Sequence, residues 1–176
     1  KRPAEKLDRS KRPGSGPNPA VSVPEFWTAD FENGIKIIGT KSDEIPTVSL
    51  RINLKGGHRL EAADPSKSGT ASLMASLMNE STENFTSEEI AKKLEMLGSS
   101  ISIGSGSNSM LISVNSLKKN LPATLAVLEE KMFRPAFTAE DFSRAQKQQM
   151  QGAMAAEKDP ASIAGLVYNK LIYGEN

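Results

Sequence analysis

Val48, Leu50, Ile52 and Leu54 alternate with Ser49, Arg51, Asn53 and Lys55. A period of two over eight residues specifies a strand with one wet face and one face that something else must cover. The pattern recurs downstream. Ile101 and Ile103 alternate, Gly104-Ser105-Gly106-Ser107-Asn108 turns the chain, and Met110, Ile112 and Val114 alternate again, which predicts a hairpin. Upstream, Phe26 to Phe31 and Ile35 to about Lys41 flank Glu32-Asn33-Gly34, a second hairpin whose Asn-Gly suits the positive φ angles of a tight turn.

The cover has to come from helices, and the apolar spacing changes to a helical one in five places. Leu73, Met74, Leu77 and Met78 form one stripe after a loop running from Gly56 to Gly69. Thr86 with Glu89 makes a capping box ahead of Ile90, Ala91, Leu94 and Leu97, and Gly98 stops that helix. Leu121, Leu125, Leu128 and Met132 line a third helix ending before Pro135. Thr138 caps a long Gln-rich helix through about Glu157. Asp159-Pro160 opens a last one with the stripe Ile163, Ala164, Val167, Tyr168, Leu171 and Ile172. The order β-β-β-α-α-β-β-α-α-α puts like elements in blocks. That order predicts an α+β fold, a mainly antiparallel sheet with helices packed on one face.

The first helix carries the chemical question. Ser72, Ala75 and Ser76 fall at i, i+3 and i+4, so they share a face opposite the apolar stripe. An inverted zinc motif, H-x-x-E-H, has this spacing, two imidazoles and a carboxylate brought together. Here the positions hold a hydroxyl, a methyl and a hydroxyl. His58 is the sole histidine, in a loop without a nearby cluster of His, Cys or carboxylates, and reads as a solvent-exposed or structural residue. With no other imidazole and no strand–turn–helix elbow, a serine triad at Ser72 or Ser76 is not expected. Gly104-Ser105-Gly106 lacks the Lys and helix start of a phosphate loop. Met74, Met78 and Met96 read as core filling. The sequons at Asn79 and Asn84 read as coincidence.

Bulk properties narrow the remaining classes. A formal net charge of +1 gives no general reason to expect nucleic acid or an anionic membrane. The absence of cysteine excludes disulfides and thiolate metal sites, and fits the cytoplasm or a bacterial periplasm. No apolar run approaches the roughly 20 residues of a membrane span. Residues 1–24 are rich in Pro, Gly, Ser and charge, the composition of a flexible linker. Their basic residues have no interleaved aromatics of the kind a nucleic-acid-binding arm stacks bases on.

Several segments together resemble the pitrilysin or insulinase-type (M16) zinc metallopeptidases. Phe31-Glu32-Asn33-Gly34-Ile35-Lys36-Ile37-Ile38 resembles the family's opening hairpin, and Pro46-Thr47-Val48-Ser49-Leu50 its next strand. Gly56-Gly57-His58-Arg59-Leu60-Glu61 is similar to its G-x-R-x-E stretch, and Gly69-Thr70-Ala71 to the G-x-A before H-x-x-E-H. Thr86 to Ile90 and Leu94 to Ile101 resemble its next helix and turn. Arg134-Pro135-Ala136-Phe137 with Glu140-Asp141-Phe142 resembles a later turn. Leu7-Asp8-Arg9-Ser10 is similar to the linker before the second module of two-module bacterial members.

The resemblance implies the N-terminal half of a non-catalytic M16 module over residues 25–176, preceded by an inter-module linker. Ser72 and Ser76 stand where the family has its zinc histidines, and Ala75 where it has its catalytic glutamate. Gly152 lies near the position of its third ligand, with Glu157 about a turn and a half further on. No catalytic or metal residue carries over, so zinc is expected in another module of the parent and not in this chain. The implied role is structural and peptide-enclosing, with a zinc-bearing M16 module and peptide substrates as partners and the bacterial periplasm or cell envelope as the expected location. The alternative is a stand-alone pseudo-peptidase acting as an assembly scaffold. Apolar surface that the rest of the module normally covers is expected to be exposed on the fragment, where it can drive an artificial homodimer.

Overall fold

The computed structural model describes residues 14–18, 23–42 and 44–174. Most of the linker read over residues 1–24, Leu7 to Ser10 included, lies outside the described residues. The chain divides into two compact units, one ending at Glu44 and one beginning at Ile45.

The first unit is a hairpin of β1 (Phe26–Asp30) and β2 (Lys36–Thr40), paired antiparallel from Phe26 opposite Thr40 to Asp30 opposite Lys36. The turn differs from the one Asn-Gly predicts. Only Gly34 takes a positive φ, 84°, and the Phe31 and Gly34 N–H groups donate to Ile35 and Phe31 carbonyls. This is a three-residue loop, a turn completed by a left-handed glycine, and Asn33 instead accepts the Ile35 N–H through its side chain. Trp27 lies opposite Gly39 and its indole fills the space a Cβ there would need.

In the second unit, β3 (Thr47–Lys55), β4 (Ser100–Ser105) and β5 (Ser109–Leu117) form an antiparallel sheet in the order β3-β5-β4. The register sets Ile52, Ile112 and Ile103 in one row, with Leu50, Val114 and Ile101 in the next. Ala75, Met78, Ile103, Met110, Ile112, Val114 and Leu128 make the buried core. The helices α1 (Thr70–Met78), α2 (Ser87–Leu97) and α3 (Leu121–Phe133) cover that face, and α4 (Ala139–Ala156) packs on α1. The last helix is α5 (Pro160–Tyr173). Element order and the α+β, helix-on-sheet class match the sequence reading. The Thr86–Glu89 capping box, the Thr138 and Asp159 caps and the left-handed Gly98 stop are all present.

Two helical faces differ from their apolar stripes. On α1 the buried residues are Ala75, Leu77 and Met78, while Met74 is exposed and Leu73 only half-buried. Ala75 thus lies in the core, 3% exposed, and does not share a free surface with Ser72 and Ser76. On α3 the buried set is Thr124, Val127, Leu128 and Lys131, while Leu125 is exposed. Polar residues can occupy the covered face because each is satisfied there. Thr124, fully buried, forms a triangle of hydroxyls with Ser99 at 2.8 Å and Ser116 at 2.9 Å, and donates to the Asn120 carbonyl.

Candidate functional site

The segment leading to α1 is more ordered than a plain loop. Gly57 has φ 93°, and a Cβ there would collide with the Gly106 carbonyl oxygen, so only glycine fits. Gly56, His58 and Arg59 donate their N–H groups to the carbonyls of Asn108, Gly106 and Ser107, which ties the segment to the β4–β5 turn. Two 3₁₀ turns follow, His58–Leu60 and Pro65–Lys67, the second capped by the Asp64 carboxylate accepting the Ser66 N–H.

This route brings Glu61 to the start of α1. Gly69, the N-cap residue, has no side chain to offer. Glu61 accepts the Gly69 N–H at 2.8 Å and the Ala71 N–H at 2.5 Å instead. A carboxylate here satisfies donors that the helix leaves unpaired and complements the positive end of its dipole. Bonds from the Ala71 and Gly69 N–H groups, with the nearby His58, hold the Glu61 carboxyl below the ordinary glutamate range against the opposing effect of desolvation.

The other end of α1 has the opposite charge. Lys131, buried on α3, donates from Nζ to the carbonyl of Asn79, the C-cap residue, at 2.7 Å. Burial lowers the Lys131 pKa, partly offset by Glu80. Asn79 in turn donates to the carbonyls of Ala75 and Ile103 and accepts the Ile103 N–H. Its amide therefore pairs with the outer edge of β4 much as another strand would. Helix α1 is held at both ends by charges matched to its dipole.

Between those ends, the motif positions point to different surroundings. Ser72 Oγ lies 3.4 Å from His58 Nε2, and Ser105 Oγ is also 3.4 Å from that nitrogen. His58 Nδ1 is 3.7 Å from the Glu61 carboxylate. His58 is thus half-buried among two hydroxyls and a carboxylate, which fits the structural one of its two sequence readings; Glu61 is three residues on, while Ser72 and Ser105 reach it only through the fold. The order Ser72–His58–Glu61 is that of a relay, but both distances exceed the 2.6–3.2 Å or so at which a base takes up a proton.

Ser76 is exposed and Ala75 is buried. Gly152, on α4, has open space where a side chain would start, and Glu157 is exposed at the C-cap of that helix. The Gln149 amide donates to the Gly69 carbonyl and closes one side of a cleft of about 300 Å³, lined also by Leu73, Gln146, Met150 and Ala153. A zinc ion needs three or four N, O or S donors. The residues at these positions do not fit one, and among the described residues no three His, Cys, Asp or Glu side chains gather as a metal would require. No helix among the described residues is long and apolar enough to cross a membrane.

Fold and site together define an α+β, helix-on-sheet scaffold whose first helix carries Ser72, Ala75 and Ser76, with no metal-ligating cluster among the described residues. The chain belongs to the insulinase family of peptidases, family M16, whose model matches residues 36–172. A structure described as a peptidase M16 inactive domain from Pseudomonas fluorescens is similar, with a TM-score of 0.76 and 24% identity over 85% of this chain and 36% of that one. A protease from Helicobacter pylori is similar with a TM-score of 0.67 and 18% identity, over 80% and 34%. The chain thus spans about a third of each neighbour's length. No curated protein matches it.

Proposed function

We infer that this chain is part of a non-catalytic M16 module that serves as a structural, peptide-enclosing wall beside a zinc-bearing module of the same parent protein. The observation that carries this is the contrast along α1. Both ends are anchored by charged partners, while Ser72, Ala75, Ser76 and Gly152 present no metal ligand. An unbroken frame without donors fits a scaffold better than an enzyme. The description of the Pseudomonas fluorescens neighbour as an inactive domain supports the same reading.

Zinc and the peptide-bond chemistry belong to the partner module in this account. The bacterial sources of both neighbours support a bacterial origin, and a chain free of cysteine suits the periplasm or cell envelope. The test is removal of residues 25–176 from the parent. Loss of peptide hydrolysis with zinc content unchanged is expected; undiminished hydrolysis would contradict the role.

A further inference from the structure

Strand β4 lies at one edge of its sheet, with β5 as its neighbour. In an antiparallel pair the backbone groups of alternate residues point toward the partner strand and away from it. The Gly106 N–H donates to the Ser109 carbonyl just past the strand ends. With the register, that bond turns Ser102 and Gly104 toward β5 and Ile101, Ile103 and Ser105 outward. A row of outward N–H and C=O groups is a template for another strand, and edges are commonly guarded by charge, proline or a bulge. The opposite edge strand, β3, carries the exposed Arg51 and Lys55. Strand β4 reads Ser-Ile-Ser-Ile-Gly-Ser, with neither charge nor proline. Such a strand pairs readily with a copy of itself.

Its guard comes from the C-cap of α1. Asn79 Nδ2 donates to the Ile103 carbonyl at 2.7 Å, and Asn79 Oδ1 accepts the Ile103 N–H at 3.1 Å. One primary amide thus fills both places that an added strand would fill at this residue. The amide is held in turn. Its second N–H goes to the Ala75 carbonyl at 2.8 Å, and Lys131 Nζ holds the Asn79 carbonyl at 2.7 Å. We propose that Asn79 is a self-blocking contact, occupying the strand-addition site of β4 so that the β4 edge of a second copy cannot pair there. Ile103 is the middle one of the three outward residues, so a strand shut out at Ile103 keeps bonds only at the two ends. The block is independent of the enclosing role argued above.

Amide hydrogen exchange in the native chain gives one test. Ile103 should exchange more slowly than Ile101 and Ser105, which share its edge without an Asn79 amide; equal rates would overturn the block. Sedimentation velocity gives another. Asn79→Ala should reach at least twice the mass of the native chain at the same concentration. Its Ile101 and Ile103 amides, fast in dilute solution, should regain protection as it associates. Ser102→Lys puts a charge on the exposed face of β4, as Arg51 and Lys55 do on β3. Added to Asn79→Ala, it should restore the native mass. Thr124→Val, expected to lose comparable stability while Asn79 stays in place, should also keep the native mass. An Asn79→Ala chain of native mass, association that Ser102→Lys leaves intact, or equal association in Thr124→Val would each overturn the proposal.

Discussion

The Glu61 carboxylate accepts the backbone N–H of Ala71, one residue before Ser72. A side chain ten residues upstream therefore caps a helix whose own N-cap residue is a glycine. Glu61→Gln keeps the shape and removes the charge. The unfolding midpoint in urea should fall, and by more than for Glu83→Gln, an exposed residue in a turn.

The same group sets part of the pH dependence. Its carboxyl is held below the ordinary glutamate range in the fold, as Asp141 is below the aspartate range, where bonds from Ser81, Thr138 and Arg144 outweigh the larger single effect of burial. A depressed folded value means the stabilisation is complete above the unfolded values, about 3.9 and 4.3, and is lost as pH falls through the folded ones. Thermal melts should show falling stability below about pH 4.5, with a shallower fall in Glu61→Gln. An unchanged slope in that variant would refute the assignment.

Lys131→Met keeps the buried stem but leaves the Asn79 carbonyl without its charged partner. A cost of about 1–3 kcal/mol is expected in denaturant melts. Asn79→Ala should cost a similar amount and speed amide exchange at Ile103, whose N–H that side chain accepts.

Hydroxyls separate buried from exposed roles. Thr124→Val breaks the triangle with Ser99 and Ser116 at a fully buried site and should destabilise by about 1–3 kcal/mol. Ser76→Ala, on exposed surface, should stay within about 0.5 kcal/mol.

These sites mark what the sequence made legible. Periodicity and local turn and cap signals locate the five strands and five α-helices of the described residues: β3, β4 and β5 alternate because one face is covered, while the exposed β1 is read from its turn. Ile52, Ile103 and Ile112 could be read as core from alternation alone. The faces of α1 and α3 could not. Ala75, Thr124 and Lys131 are buried because partners from distant segments receive them, and no period encodes that. Glu61 was visible within a family-like stretch, yet its capping role depends on the turn that Gly57 permits. His58 gained its neighbours by the same turn.

Restoring the ligands on α1 alone is not expected to create an enzyme. Ser72→His, Ala75→Glu and Ser76→His together leave Gly152 without a donor and place a carboxylate where Ala75 is buried. The triple variant should show no peptide turnover and reduced stability; measurable turnover would show that the missing later ligand is dispensable.

The central claim is that this chain keeps the motif helix without its metal. Zinc content of the purified 176-residue chain, measured by mass spectrometry after equilibration with excess zinc and removal of free ion, tests it most directly. The account predicts a content far below one zinc per chain. One zinc retained per chain would contradict it.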